Sequence, residues 1–385
     1  MKTSKTSSKA PRVLIATASV GAGHNAAARA IAAGLSELPN APQVEILDVM
    51  TLAPWSFRVY YAKGFAFTVS HLPWAYGMGY HITNHPQGPK IGLMERRRLW
   101  HERRAMGKFR RYMQESNPDL VIHTHFLAPP IMSHMTNKKQ FNTTQFVAVT
   151  DHDPHRFWYA GHIKKWFLPS ETGLEKLLRW GIDRDAITIS GMPIHPKWTA
   201  QPDRTKILTD WRLPHDKKVV LLSGGTDFTC GPVVKTAKRI LQLCGDISLV
   251  VLGGRNKKLL GQLSKLAAEI DGLFPVSFTD RIDELVWVSS LMVTKAGGIT
   301  TAECIATGTP MILPKPVPGQ EADNARYFSD NGAAIITRNY KQIPDQVRKL
   351  LDDPQTLNKM SQNASNLFQP GTTTIVQAVR DELGL

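Results

Sequence analysis

A chain of 385 residues exceeds what one hydrophobic core usually serves, so two domains are expected. Its 42% hydrophobic content is ordinary for a globular protein and excludes collagen, coiled coil and wholesale disorder. Forty-seven Lys and Arg against thirty-two Asp and Glu give a net charge of +15, a balance that favours an anionic partner.

Residues 1–10 read as a flexible basic tail. The apolar run VLIATA is too short for a signal-peptide core and passes straight into Gly-Ala-Gly-His, so it reads as a first strand. No window offers the roughly twenty uninterrupted apolar residues of a spanning helix, so neither a signal peptide nor a transmembrane segment is expected. In SVGAGHNAAARAI, Gly21 and Gly23 make a tight strand-to-helix turn, and His24 opens the helix. The positive end of the helix dipole disfavours imidazolium and leaves His24 neutral, able to accept a proton. The bland alternative is a histidine that only caps the helix.

VEILDVM is the next strand, and then the pattern breaks. Residues 54–80, PWSFRVYYAKGFAFTVSHLPWAYGMGY, are dense in aromatics and poor in charge, with Trp55, Phe57, Tyr60, Phe65 and Trp74 prominent. From Arg96 to Arg111, Arg96, Arg97, Arg98, Arg103, Arg104, Lys108, Arg110 and Arg111 face the single acid Glu102. Aromatics followed by arginines suit a membrane–water interface rich in anionic headgroups. A buried helical hairpin with a solvated basic face is the competing reading. Single-stranded nucleic acid also pairs with such residues, but no nucleic-acid motif accompanies them, so no nucleic-acid partner is expected.

DLVIHTHF, TQFVAVT, KWFLPS and AITISG continue the strands of the first half. VTDHDPHRFW carries Asp151, His152, Asp153 and His155 just past a strand, and HTH supplies His123 and His125. Two readings stay open: a metal cluster of the Asp-x-Asp or metallohydrolase type, or groups that orient an acceptor. Cys230, Cys244 and Cys304 form neither a disulfide framework nor a metal spacing, which suits a reduced, cytoplasmic chain. The Pro-rich passage 191–205, GMPIHPKWTAQPDRT, reads as the linker, giving domains at 11–200 and 201–369.

The second half repeats the alternation with KKVVLLSGG, ISLVVLGG, LMVTKAGG, MILPKP and AAIIT. Strand–helix alternation predicts an α/β fold with parallel sheets, whose glycine-rich turns at strand ends hold ligands. Ser223, Gly224, Gly225 and Thr226 close the first of these strands; Arg255 and Asn256 follow the second, where an arginine can neutralise a diphosphate. The passage 294–324, TKAGGITTAECIATGTPMILPKPVPGQEADN, is the most informative. Gly297 and Gly298 let backbone approach a ligand, and the helix beginning near Thr300 offers its N–H groups to a phosphate. Glu303 can accept from a ribose diol, and the loop PVPGQEADN presents Gln320, Glu321, Asp323 and Asn324 to sugar hydroxyls. Phosphate, ribose and hexose contacts in one unit predict a nucleotide-sugar site.

The strings GG-I-T-x-x-E and P-V-P-G-Q-E-x-x-N resemble the donor signature of glycosyltransferase family 28, within it the monogalactosyldiacylglycerol synthases and diacylglycerol glucosyltransferases. The resemblance runs from about Val13 to Ala334. It implies a GT-B fold, two Rossmann-like domains facing across a cleft, with residues 370–385 as a helix crossing back to the first. It implies an inverting transfer of a hexose from a UDP-hexose to a lipid hydroxyl, diacylglycerol foremost, at the cytoplasmic face of an anionic membrane, with no cofactor and no essential metal. By the same resemblance His24 and Asp151 are catalytic, and the backbone at Arg281 and Ile282 holds uracil. Gly297, Gly298 and Thr300 face the phosphates, Glu303 the ribose, and Gln320, Glu321 and Asn324 the sugar. The chain departs from the family in GAGH for the plant-type GGGH and in His195 where an arginine is common. The rivals are a peptidoglycan-precursor GlcNAc transferase, a UDP-sugar epimerase and a membrane-bound UDP-sugar sensor.

Overall fold

The computed structural model of the chain describes residues 10–84, 88–224 and 231–385, without the side chains at 62, 63, 65, 66 and 70. Expectations for the basic tail before residue 10, for Gly225, Thr226 and Cys230, and for the Phe65 side chain lie outside the described residues. The chain divides into two compact units, one of residues 1–196 and 370–385 and the other of residues 197–369.

The first unit is built on six parallel strands: β1 (Arg12–Thr17), β2 (Gln43–Asp48), β3 (Leu120–His123), β4 (Thr144–Ala148), β5 (Lys165–Leu168) and β6 (Ile187–Ile189). Their order is β2-β1-β3-β4-β5-β6. β1 is an interior strand, and RVLIAT is apolar on both faces, as a strand covered on both sides must be. Its Val13 pairs Val44 on one side and Leu120 on the other, so strand order reverses beside β1. Helix α1 (Ala22–Ser36) covers one face together with the C-terminal helix Gly371–Leu383, burying Ile15, Ile31, Phe146, Phe167, Ile375 and Val379.

The aromatic segment is helical. It forms α2 (Trp55–Arg58), a π turn at Val59–Lys63, α3 (Gly64–His71) and α4 (Pro73–Thr83), and the basic run forms α5 (Leu93–Ala105) and α6 (Gly107–Ser116). Met106, Phe109 and Met113 join Leu14, Val121, Ile131 and Met132 in the core on the opposite face.

The second unit holds β7 (Lys218–Ser223), β8 (Ile247–Gly254), β9 (Leu273–Ser277), β10 (Ser289–Thr294), β11 (Met311–Pro314) and β12 (Ala334–Thr337), all parallel, in the order β12-β11-β10-β7-β8-β9. Strand order reverses here between β7 and β10, and Val220, Leu222, Leu249, Val251, Leu263 and Val347 pack into one core. The stretch 320–324, read as part of a loop, is the first turn of a helix, Gln320–Asp330. Glu321 and Asp323 in that turn complement the helix dipole, which favours the helix over a loop.

The final helix meets the first unit through a close backbone approach. A Cβ on Gly371 would stand 2.5 Å from the Met192 carbonyl oxygen, and Thr372 Oγ1 donates to the Ile194 carbonyl at 2.6 Å. Gly371→Ala therefore has to displace backbone. It is expected to cost about 1–3 kcal/mol, read as a lower thermal midpoint; an unchanged midpoint would contradict this packing.

Candidate active site

In the first unit the site begins at the strand-order reversal. His24 stands in the first turn of α1, whose N-cap is Gly21. Its Nδ1 lies 2.9 Å from the Thr124 carbonyl oxygen, past β3, and 2.9 Å from Thr150 Oγ1, past β4. His125 packs its ring edge-on at 4.5 Å, and Trp158 lies at 6.3 Å. Burial lowers the His24 pKa from 6.5, while the Asp151 carboxylate and the Thr124 bond pull it back up. The shift runs in the direction expected from the sequence, with desolvation as its largest cause. Asp151 is itself buried, and its Oδ2 accepts the Trp158 indole N–H at 2.8 Å.

The neighbouring histidines are engaged one by one. His123 faces Gln145 Oε1 at 3.1 Å, His125 Nδ1 accepts from the Leu127 N–H, and His152 meets Ser170 Oγ at 3.1 Å. His155 Nδ1 accepts from the Phe157 N–H, and its Nε2 faces the Tyr80 carbonyl at 3.1 Å. Burial lowers His123 and His155 to about 4 and His152 to about 3. Asp153 pairs with Lys176. Among the described residues no three His, Cys, Asp or Glu side chains gather as a metal ion requires, so the Asp-x-Asp and His-x-His patterns assemble no ligand set there.

Three residues of the basic and aromatic segment are turned inward rather than presented to a surface. Arg98 is not presented outward: both Glu102 carboxylate oxygens accept from its Nη1, at 2.8 and 2.9 Å, and its guanidinium covers the Phe157 ring at 4.1 Å. Arg103 is also turned partly inward, its pKa lowered by burial. Phe57 stacks on Tyr61 at 5.3 Å and packs on the core. By contrast Trp55 (71%), Tyr60 (78%) and Trp74 (67%) are exposed, as are Arg96, Arg97 and Arg104. Leu93 (84%), Met94 and Trp100 add exposed apolar surface that sequence reasoning missed. The signal available was the pair Leu93–Met94, apolar residues placed directly ahead of a charged helix.

In the second unit the donor candidates collect at the carboxyl ends of β7, β10 and β11. Ser223 ends β7 and Gly224 follows it; Gly297 caps the helix Gly298–Ala306 after β10; Gly319 caps Gln320–Asp330 after β11. A Cβ on Gly297 would meet nothing within 4 Å, so that flank of the turn is open. Thr300 is half-exposed in the first helical turn. The Glu303 carboxyl is pushed up to about 8 by burial and by Asp283, against the pull of Lys197, so it holds its proton more firmly than a free carboxylate. Glu321 Oε1 lies 3.7 Å from Lys295 Nζ, and Oε2 accepts from the Val317 N–H at 3.4 Å.

Several candidates have other employment. Asn324 is 1% exposed, and its Nδ2 donates to the Ala296 carbonyl at 3.2 Å, which ties the second helix to the Gly297 turn. Asn256 Oδ1 caps the helix Lys257–Glu269 by accepting from the Leu259 N–H at 3.0 Å. Arg281, whose backbone with that of Ile282 was expected to hold uracil, is the N-cap of the helix beginning at Ile282; its own N–H donates to Thr279 Oγ1 at 3.0 Å, and its guanidinium bonds Glu284 at 2.8 Å and Asp210 at 3.2 Å. Arg255 follows β8 with its guanidinium 4.1 Å above the Phe278 ring, a partner that sequence reasoning did not single out.

Residues 24–194 match the monogalactosyldiacylglycerol (MGDG) synthase family, and residues 219–375 match the glycosyltransferase family 28 C-terminal domain. The processive diacylglycerol beta-glucosyltransferase of Bacillus licheniformis is 33% identical over 273 residues, 69% of this chain and 68% of that protein. Its Bacillus subtilis counterpart is 34% identical over 269 residues, 69% of each. The chain belongs to glycosyltransferase family 28, on its MGDG-synthase-like branch. It is a UDP-sugar-dependent glycosyltransferase. Staphylococcus aureus MnaA, solved with UDP, superposes with a TM-score of 0.64 at 15% identity, covering 97% of both chains. MurG of Acinetobacter baumannii gives 0.60 at 16%, covering 96% of this chain and 99% of that one. At such identities these likenesses speak for the GT-B fold alone.

His24 is expected to titrate below pH 6.5, and Asp151→Asn, which removes the charge that favours imidazolium, to lower it further. Histidine ring NMR across pH checks both; an unchanged titration in the variant would contradict the coupling.

Proposed function

We propose that this enzyme transfers glucose from UDP-glucose to the free hydroxyl of diacylglycerol, with inversion, at an anionic membrane surface. The observation that carries the reading is the kinship at 33–34% identity with two proteins named processive diacylglycerol beta-glucosyltransferase. The donor turns alone would suit any nucleotide-sugar enzyme. UDP-glucose is α-linked, so a β-glucoside requires displacement from the face opposite UDP. The epimerase and peptidoglycan-precursor readings draw only on fold likeness near 15% identity, and a sensor would have no use for a neutral buried histidine.

In this reading His24 takes the proton of the acceptor hydroxyl, and Asp151 favours the imidazolium that forms. The hydroxyl oxygen bonds to the anomeric carbon as the bond to UDP breaks, its electron pair leaving on the β-phosphate. The helix N-termini at Gly298 and Gln320 and the Arg255 guanidinium receive that charge. Glu303, holding a proton near neutral pH, can both donate to and accept from the ribose diol, and Gln320 and Glu321 read the hexose. Asn324 supports the turn. No metal is required by these roles.

The acceptor dissolves in membrane, and no described helix is long and apolar enough to cross one. Trp55, Tyr60, Trp74, Leu93, Met94 and Trp100 offer apolar groups at about 1.5–3 kcal/mol each on burial. The exposed Arg96, Arg97 and Arg104 add about 1 kcal/mol apiece near anionic lipid. Shallow insertion of two or three of these groups, helped by the arginines, suits reversible, peripheral attachment.

The test is one incubation with diacylglycerol vesicles and a panel of UDP-sugars. Glucosyl-diacylglycerol should form, Glu321→Ala should reduce it at least about a hundredfold with the fold intact, and vesicle binding should need anionic lipid and weaken with salt. Full turnover by Glu321→Ala, or no lipid product from any UDP-sugar, would contradict the reading.

A further inference from the structure

Which ring nitrogen of His24 is the base follows from what surrounds the other one. Nδ1 stands 2.9 Å from the Thr124 carbonyl oxygen. A carbonyl oxygen can only accept, so Nδ1 has to carry the hydrogen. Thr150 Oγ1, at 2.9 Å from the same nitrogen, is then a second acceptor for that N–H. With Nδ1 protonated in the neutral ring, the lone pair is on Nε2.

We propose that Thr124 and Thr150 are positioning residues that hold His24 in its Nδ1–H tautomer, so that Nε2 is the atom that takes the acceptor's proton. The inference deepens the reading of His24 as the base and rests on it. Thr124 grips His24 twice, because its hydroxyl also donates to the His24 carbonyl at 3.1 Å. It is fully buried, and its own N–H donates to the Ala16 carbonyl at 3.0 Å, which fixes the clamp to the β1–β3 junction. Among the described residues, the titratable groups acting on His24 are His125 from the β3 end and Asp151 from the β4 end. His125 is kept neutral by burial, and because its Nδ1 accepts from Leu127, its hydrogen is on Nε2. It therefore adds no positive charge beside the base. When the hydroxyl proton reaches Nε2, the Nδ1 proton stays in place, and its two acceptors with Asp151 stabilise the imidazolium.

The test is ring ¹⁵N NMR of the full chain above the His24 pKa, with His24→Ala assigning the signal, alongside pH–rate profiles. The native protein should show Nδ1 protonated and Nε2 bare. Thr150→Val should leave Nδ1 protonated, held by the Thr124 carbonyl, but move the acidic limb of kcat/KM to lower pH and cut kcat about tenfold, with KM for the UDP-sugar unchanged; Thr150→Ser should restore both. A native ring protonated on Nε2 overturns the inference. So does a Thr150→Val protein that loses thermal stability but keeps its acidic limb and its kcat. Turnover surviving in His24→Ala, with the Nδ1–H signal present in the native chain, sinks the base reading while the tautomer assignment stands.

Discussion

Each sheet reverses its strand order once, and that reversal governs where chemistry can sit. Parallel strands run their carboxyl ends to one edge, and the helices that follow turn their N–H groups back toward it. On either side of a reversal the two helices diverge and leave room. In the first unit the place is beside β1 and β3, where His24 meets Thr124 and His125. In the second it is beside β7 and β10, with Gly224 on one side and Gly297 on the other.

The two sites differ in character. The first is buried: desolvation lowers the pKa of each of its histidines, and each has a specific partner. A charge created there is felt strongly, so the Asp151 carboxylate matters beyond its hydrogen bond to Trp158. The second has open glycine backbone at the turn after β10, which suits a diphosphate. A dense run of positive charge lies elsewhere, on α5 and α6. That basic helix is also tied inward, through Arg98 over Phe157 and through Glu95, 3.5 Å from the buried Arg156, to the segment that carries Trp158.

Much of this was legible in the chain. Unbroken apolar runs such as VLIAT and VVLL gave the parallel strands, and glycines after them marked the turns. PVPGQEADN misled in part, because Pro and Gly obscure a helix start that Glu321 and Asp323 then announce. In residues 54–80 apolar residues occupy every face, and the π turn at Val59–Lys63 shifts the register, so the inward Phe57 could not be told from the outward Trp55. Arg98 was readable, since the single acid Glu102 lies four residues on. Thr124 carried no local signal, and Thr150 none beyond its place beside Asp151. They lie 100 and 126 residues from His24, and only sheet order brings them together.

The account depends on the second unit holding a uridine diphosphate at its β7–β10 reversal. Titration calorimetry of the intact, folded protein with UDP measures this most directly. Saturable heat at one site per chain, much weakened in Gly298→Val, is the predicted result. A folded chain that gives no heat with UDP or with any UDP-sugar would contradict it.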